Sequence, residues 1–208
     1  QEEVTENANI AMRAEVLNEI NGGREGCIVV TYPGALSEKV ITQKELSAQT
    51  FSLGLGDTFT LDFLDEVFLE YGFEKVDFVY EPGQYAMRGG IVDVFSYSFD
   101  HPYRIEFFGE EIESIRKFDP VSQLSVNKLT RATIVPNVGN KALHENNEAF
   151  LSFIPSESVI WITDVKSCEM GLKKELEKAT AHFDRLIGET KRTPPDELYL
   201  DPKIFKGS

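Results

Sequence analysis

The chain has 208 residues with 21 basic and 35 acidic side chains, a formal net charge of -14, 41% hydrophobic and 27% charged content. That balance fits a globular protein with an ordinary core, and so acidic a surface repels nucleic-acid phosphates. No apolar run approaches the roughly 20 residues of a membrane helix, and Gln1-Glu2-Glu3-Val4-Thr5-Glu6-Asn7 lacks the basic and apolar regions of a signal peptide, so a cytoplasmic location is expected.

Residues 8 to about 21 read as a helix with Ile10, Ala14, Leu17 and Ile20 in a stripe, closed by Gly22-Gly23. Cys27-Ile28-Val29-Val30-Thr31 is the short apolar run of a strand buried on both faces. Pro33-Gly34 breaks it, and Ala35 to Val40 follows as a short helix. Near residue 50 the pattern changes. Asp57 to Thr60 is strand-like. Asp62 to Tyr71 is a helix with Phe63, Leu64, Val67, Phe68 and Tyr71 on one face, stopped by Gly72. Val76, Phe78 and Tyr80 alternate as a strand, and Pro82-Gly83 makes a turn. Two strand blocks follow, Tyr85 to Phe95 and Tyr103 to Phe108. Gly109-Glu110 is a hairpin turn, and Glu111 to Phe118 returns as a strand. After Val138 come a short helix at Ala149–Phe153 and a second buried-strand pattern at Val159–Asp164. A helix from Met170 to Leu186 carries Leu172, Leu176, Ala179 and Phe183, and ends before Thr193-Pro194-Pro195. Leu198-Tyr199-Leu200 is a strand or a docked extension. The expected architecture is an α/β domain from residues 1–50 and 138–208, with an α+β antiparallel unit at 51–137 inserted in it. The missing initiator methionine and the end at Lys206-Gly207-Ser208 suggest a piece of a longer protein.

Cys27 and Cys168 sit beside apolar runs and read as buried structural thiols, with a disulfide as the lesser alternative. His101, His144 and His182 are scattered, and no paired-cysteine motif occurs, so no metal site is expected. Val159–Asp164 has the outline of a strand whose terminal carboxylate could hold magnesium. However, no Gly-x-x-x-x-Gly-Lys-Ser/Thr loop exists to cradle phosphates. Glu106, Glu110, Glu111, Glu113 and Asp119 cluster around the hairpin, where carboxylates more often form a solvated edge than a catalytic pair.

The informative strand is Tyr103–Phe108. Tyr103, Ile105 and Phe107 form a core face; Arg104, Glu106 and Phe108 point the other way. Either a second layer covers Phe108, or it is a docking hot spot beside an arginine. Arg88, before Gly89-Gly90, and Arg104 would flank it if their strands are neighbours; the alternative pairs them with Glu106 or Asp93. Residues 51–80 hold seven acids and one lysine, whereas residues 81–137 hold eight acids and six bases. An arginine-bearing module in an acidic chain points to a protein partner.

Arg88-Gly89-Gly90-Ile91-Val92-Asp93-Val94-Phe95, Tyr103-Arg104-Ile105-Glu106-Phe107-Phe108-Gly109-Glu110-Glu111-Ile112-Glu113-Ser114-Ile115-Arg116 and Phe118-Asp119 resemble the UvrB-homologous region of the Mfd family of bacterial transcription-repair coupling factors. Tyr80-Glu81-Pro82-Gly83-Gln84-Tyr85 and Phe118 to Ser125 favour that family over UvrB itself, the alternative source. The resemblance is strongest over 50–137. It implies that the flanks are P-loop-NTPase-like without a phosphate loop, and that the inserted unit resembles UvrB domain 2. It also implies a non-catalytic module that recruits UvrA to stalled RNA polymerase in excision repair. Arg88, Arg104 and Phe108 would be the UvrA-binding residues, masked in the intact protein by its own C-terminal domain. This piece would need no cofactor; ATP and magnesium, and contacts to polymerase and DNA, would belong to domains outside it.

Overall fold

The structure is a computed structural model that describes residues 2–24, 26–139, 146–185 and 194–203; His144, Leu186, Thr193 and Lys206-Gly207-Ser208 lie outside the described residues. The fold is mixed α/β with antiparallel sheets. In chain order the elements are α1 (Glu2–Asn21), α2 (Pro33–Ser37), β1 (Val40–Ile41), α3 (Gln43–Gln49), β2 (Phe51–Gly54), α4 (Leu61–Glu70), β3 (Glu74–Lys75), β4 (Gln84–Arg88), β5 (Ile91–Val94), β6 (Tyr103–Phe108), β7 (Glu111–Phe118), β8 (Ser125–Leu129), β9 (Arg131–Ile134), β10 (Asn147–Glu148), α5 (Phe150–Phe153), α6 (Val165–Arg185) and α7 (Pro195–Leu198). By contacts the chain forms two units, residues 1–24 with 44–143, and 25–43 with 144–208.

The first unit is built on a six-stranded sheet ordered β3-β4-β5-β6-β7-β8, antiparallel except for the parallel pair β3–β4. A separate ribbon pairs β2 with β9. α4 begins where the Thr60 hydroxyl accepts the Phe63 N–H and ends before Gly72, whose φ of 76° favours a residue without Cβ. Its Leu64 and Phe68 are fully buried, with the Phe68 ring 5.0 Å from that of Tyr85. Val92, Val94, Tyr103, Ile105 and Ile115 complete this side of the core. Phe63 departs from the expected stripe. It is 44% exposed and stacks on Phe59 at 5.9 Å instead.

The Val76–Phe78–Tyr80 strand does not form. The parallel ladder stops at Lys75, Val79 tucks under the sheet, and Phe78 and Tyr80 face solvent. Asp57–Thr60 is reduced to one bridge, Thr58 to Glu111.

In the second unit α2 packs on α6, β1 pairs with β10, and the Leu200 N–H donates to Ser37, which makes Leu198-Tyr199-Leu200 a docked extension. α6 buries Leu172 and half-buries Leu176, Ala179 and Phe183, the expected stripe. Two expectations fail here. Cys27–Thr31 and Val159–Thr163 are neither strands nor buried: Ile28, Val30 and Trp161 are 89%, 91% and 91% exposed. An apolar run becomes a buried strand only when neighbours on both edges and faces cover it, and these runs lack that cover. The expected burial of the cysteines falls with them, since Cys27 is exposed and Cys168 half-buried, although both are free thiols as expected. Among the described residues no helix is long and apolar enough to cross a membrane.

Candidate docking face

The six-stranded sheet has a second face, and its character changes from one end to the other. At one end Ala86 of β4, Phe118 of β7 and Phe95, just past β5, close with Val79 and Val76 into a small second core. This layer roofs the first pair of charges on the face. Asp93 on β5 lies opposite Arg104 on β6 and is 0% exposed. At the other end β6 runs out into solvent. Tyr103, Ile105 and Phe107 are 3%, 0% and 9% exposed on the core side, while Phe108 on the opposite side is 80% exposed. The second layer therefore covers Asp93 and stops short of Phe108.

Asp93 organises the arginines. Its Oδ1 accepts from Arg104 Nε at 2.7 Å and its Oδ2 from Arg104 Nη2 at 2.8 Å, a two-pronged fork. The same Oδ2 accepts from Arg88 Nη2 at 2.5 Å. Each guanidinium also lies over a ring, Arg104 4.4 Å from the centroid of Phe118 and Arg88 5.0 Å from that of Phe78. Arg88 further donates to the Asp77 carbonyl, and Arg104 Nη2 reaches Gln123 Oε1 at 3.0 Å. Gln123 sits at φ 61° in a turn capped by Asp119, whose carboxylate accepts from the Ser122 N–H and hydroxyl. The hydrogen bonds to Asp93 hold Arg104 firmly charged, above its already high ordinary pKa, against the burial that opposes it. A buried carboxylate shared by two arginines keeps both in fixed rotamers, so donors left over, such as Nη1 of Arg104, are pre-positioned.

Between Asp93 and Phe108 lies a second charge pair. Glu106 accepts from Arg116 across the β6–β7 ladder and from the Ser114 hydroxyl at 2.5 Å. The ladder is irregular between Glu106 and Phe107, where β7 has one extra residue. The Arg88-Gly89-Gly90 turn has a geometric cause. Gly89 has φ 59°, and a Cβ on Gly90 would come within 2.8 Å of the Phe107 carbonyl. The Phe107 N–H in turn donates to the Gly90 carbonyl at 2.8 Å.

Of the three residues singled out in the sequence, Arg88 and Arg104 meet at Asp93, while Phe108 lies four residues further along β6, about 13 Å of strand. Arg104 is more enclosed than a bare surface residue, with its side chain 18% exposed against 37% for Arg88. Pairing with Asp93 was visible as the alternative reading of the arginines. The stacking of Arg88 on Phe78 was not, because Phe78 looked like one position of a strand. The remaining candidates fall to structural roles. Asp164 caps α6, taking the Lys166 N–H and the Ser167 hydroxyl. Glu110, Glu111 and Glu113 are solvated, and no cluster of three metal-ligating side chains occurs among the described residues.

Residues 51–139, which contain the entire six-stranded sheet and α4, match the family model of the UvrB interaction domain. The chain also resembles regions of transcription-repair-coupling factors: that of Myxococcus xanthus is 34% identical over 129 residues, 62% of this chain, and that of Bacillus subtilis 32% identical over 126 residues, 61% of this chain. The UvrABC system protein B of Streptococcus uberis is 31% identical over 115 residues, 55% of this chain and 17% of that protein. The matched region is about a tenth of the coupling factors' length, 11% of each.

Proposed function

We propose that the UvrB interaction domain of this chain docks UvrA, as the non-catalytic recruiting module of a transcription-repair coupling factor. The observation that carries this reading is Phe108. A large ring 80% exposed at the open end of a sheet face, with ordered arginines further along that face, is the composition of an interface hot spot. The setting supports it: on this face Arg88, Arg104, Arg116 and Lys128 stand against Asp93, Glu106 and Glu111, a small basic excess in a chain whose net charge is -14. Such a local reversal of sign steers an acidic partner surface.

Recruitment to stalled RNA polymerase and masking of the face by a C-terminal domain are proposed for the parent protein, with DNA, ATP and magnesium handled by its other domains. A P-loop-NTPase-like flanking domain without its phosphate loop is proposed for the second unit from the resemblance alone, since Cys27–Thr31 and Val159–Thr163 form no strands. Binding of purified UvrA to the immobilised chain tests the docking reading. Wild type binds, and Phe108→Ala weakens binding by about thirtyfold, the scale of one hot-spot residue. Failure of the folded wild-type chain to bind UvrA refutes it. Micromolar ATP binding by the chain would favour origin from UvrB or another ATP-dependent repair enzyme.

A further inference from the structure

We propose that Phe78 is a fourth contact residue of the docking face, a ring that carries Arg88 and meets the partner beside it. This rests on the UvrA-docking reading. Phe78 is 52% exposed, yet its loop is held at both sides. The Val76 N–H donates to the Tyr85 carbonyl at 2.9 Å, Val79 is fully buried in the small second core, and the Tyr80 and Glu81 N–H groups share Gln84 Oε1 at 3.0 and 3.1 Å. A ring held out on a pinned loop loses little freedom when it is covered, which is the economy that makes aromatic residues effective at interfaces.

Arg88 is fixed from three directions, by the Asp77 carbonyl, the Asp93 carboxylate and the Phe78 ring at 5.0 Å. The ring shields the guanidinium from water and strengthens whatever hydrogen bond it offers outward. The sheet face carries more arginine and lysine than acid, so the matching patch on UvrA is acidic with carbon surface for the ring.

The test measures affinity of the full chain for purified UvrA, with thermal unfolding in parallel, for wild type, Phe78→Ala, Phe78→Leu, Phe78→Tyr, Arg88→Ala, the Phe78→Ala/Arg88→Ala double variant and Phe108→Ala. Phe78→Ala is expected to weaken binding about five- to tenfold, a loss of somewhat more than 1 kcal/mol, with little change in melting temperature. Phe78→Tyr keeps the ring and retains affinity; Phe78→Leu keeps bulk without the ring and loses it. The double variant loses less than the product of the two single losses, because the stack is removed by either. Wild-type affinity in Phe78→Leu or Phe78→Ala, alongside weakened Phe108→Ala, overturns the role of Phe78 and leaves UvrA docking standing. Full additivity in the double variant overturns the stacking role. No UvrA binding by wild type overturns both readings together.

Discussion

Phe107 and Phe108 are neighbours on β6 and face opposite ways, so truncating each in turn separates core from surface. Phe107 is 9% exposed, and its loss to alanine should cost about 3–5 kcal/mol, the range for a buried phenylalanine. Phe108 is 80% exposed. A fully covered phenylalanine buries about 150–250 Å², so the covered fifth of this one is about 40 Å², worth about 1 kcal/mol at ~25 cal/mol/Å². Each kcal/mol moves the melting temperature of a chain this size by about 2–4 °C. Phe107→Ala should therefore unfold roughly 10 °C or more below wild type, and Phe108→Ala within a few degrees of it. Thermal unfolding followed by circular dichroism measures this, and UvrA affinity is then compared at a temperature where each variant is folded. Phe108→Ala should lose affinity and keep stability. Equal destabilisation of the two variants would show that Phe108 is packed, and the exposure reasoning would be wrong. Unchanged affinity in a stable Phe108→Ala chain would remove Phe108 from the site.

Arg104→Ala should destabilise more than Arg88→Ala, by about 2–3 kcal/mol against about 1 kcal/mol, because it strips the buried Asp93 of its fork while Arg88→Ala leaves that fork in place; denaturant midpoints decide this. Gly90→Ala should cost about 1–3 kcal/mol and also weaken UvrA binding, since the new Cβ presses on the Phe107 carbonyl and displaces the end of β6; a normal melting temperature would contradict the close approach. The Asp65 carboxyl is held below the usual carboxylate range, chiefly by the hydrogen bond from Lys75 and then by the Tyr85 hydroxyl. A value lowered by folding stabilises fully above the unfolded value, near pH 4, and the contribution disappears as pH falls through the folded value. The melting-temperature gap between wild type and Asp65→Asn should be widest at neutral pH and close in strong acid; a gap that grows on acidification reverses the sign. The wild-type complex with UvrA should also weaken as salt rises, as the charge reversal on the face requires.

Local pattern determined much of the sheet. β7 runs from Glu111 to Phe118 as expected, the Gly109 turn has φ 64°, and α4 stops at Gly72. The two-sided character of β6 was legible for the same reason. Period-2 alternation and glycine at left-handed turns act over a few residues, so a single chain states them. The tertiary structure alone decided what covers what. It placed the second layer over Asp93 and left Phe108 open, and it drew Phe78 out of its apparent strand to lie under Arg88. It also left Cys27–Thr31 and Val159–Thr163 uncovered although their composition is that of interior strands. An apolar residue records a preference for burial but not its partner. Burial depends on neighbours brought from distant parts of a chain, and only the folded arrangement supplies or withholds them.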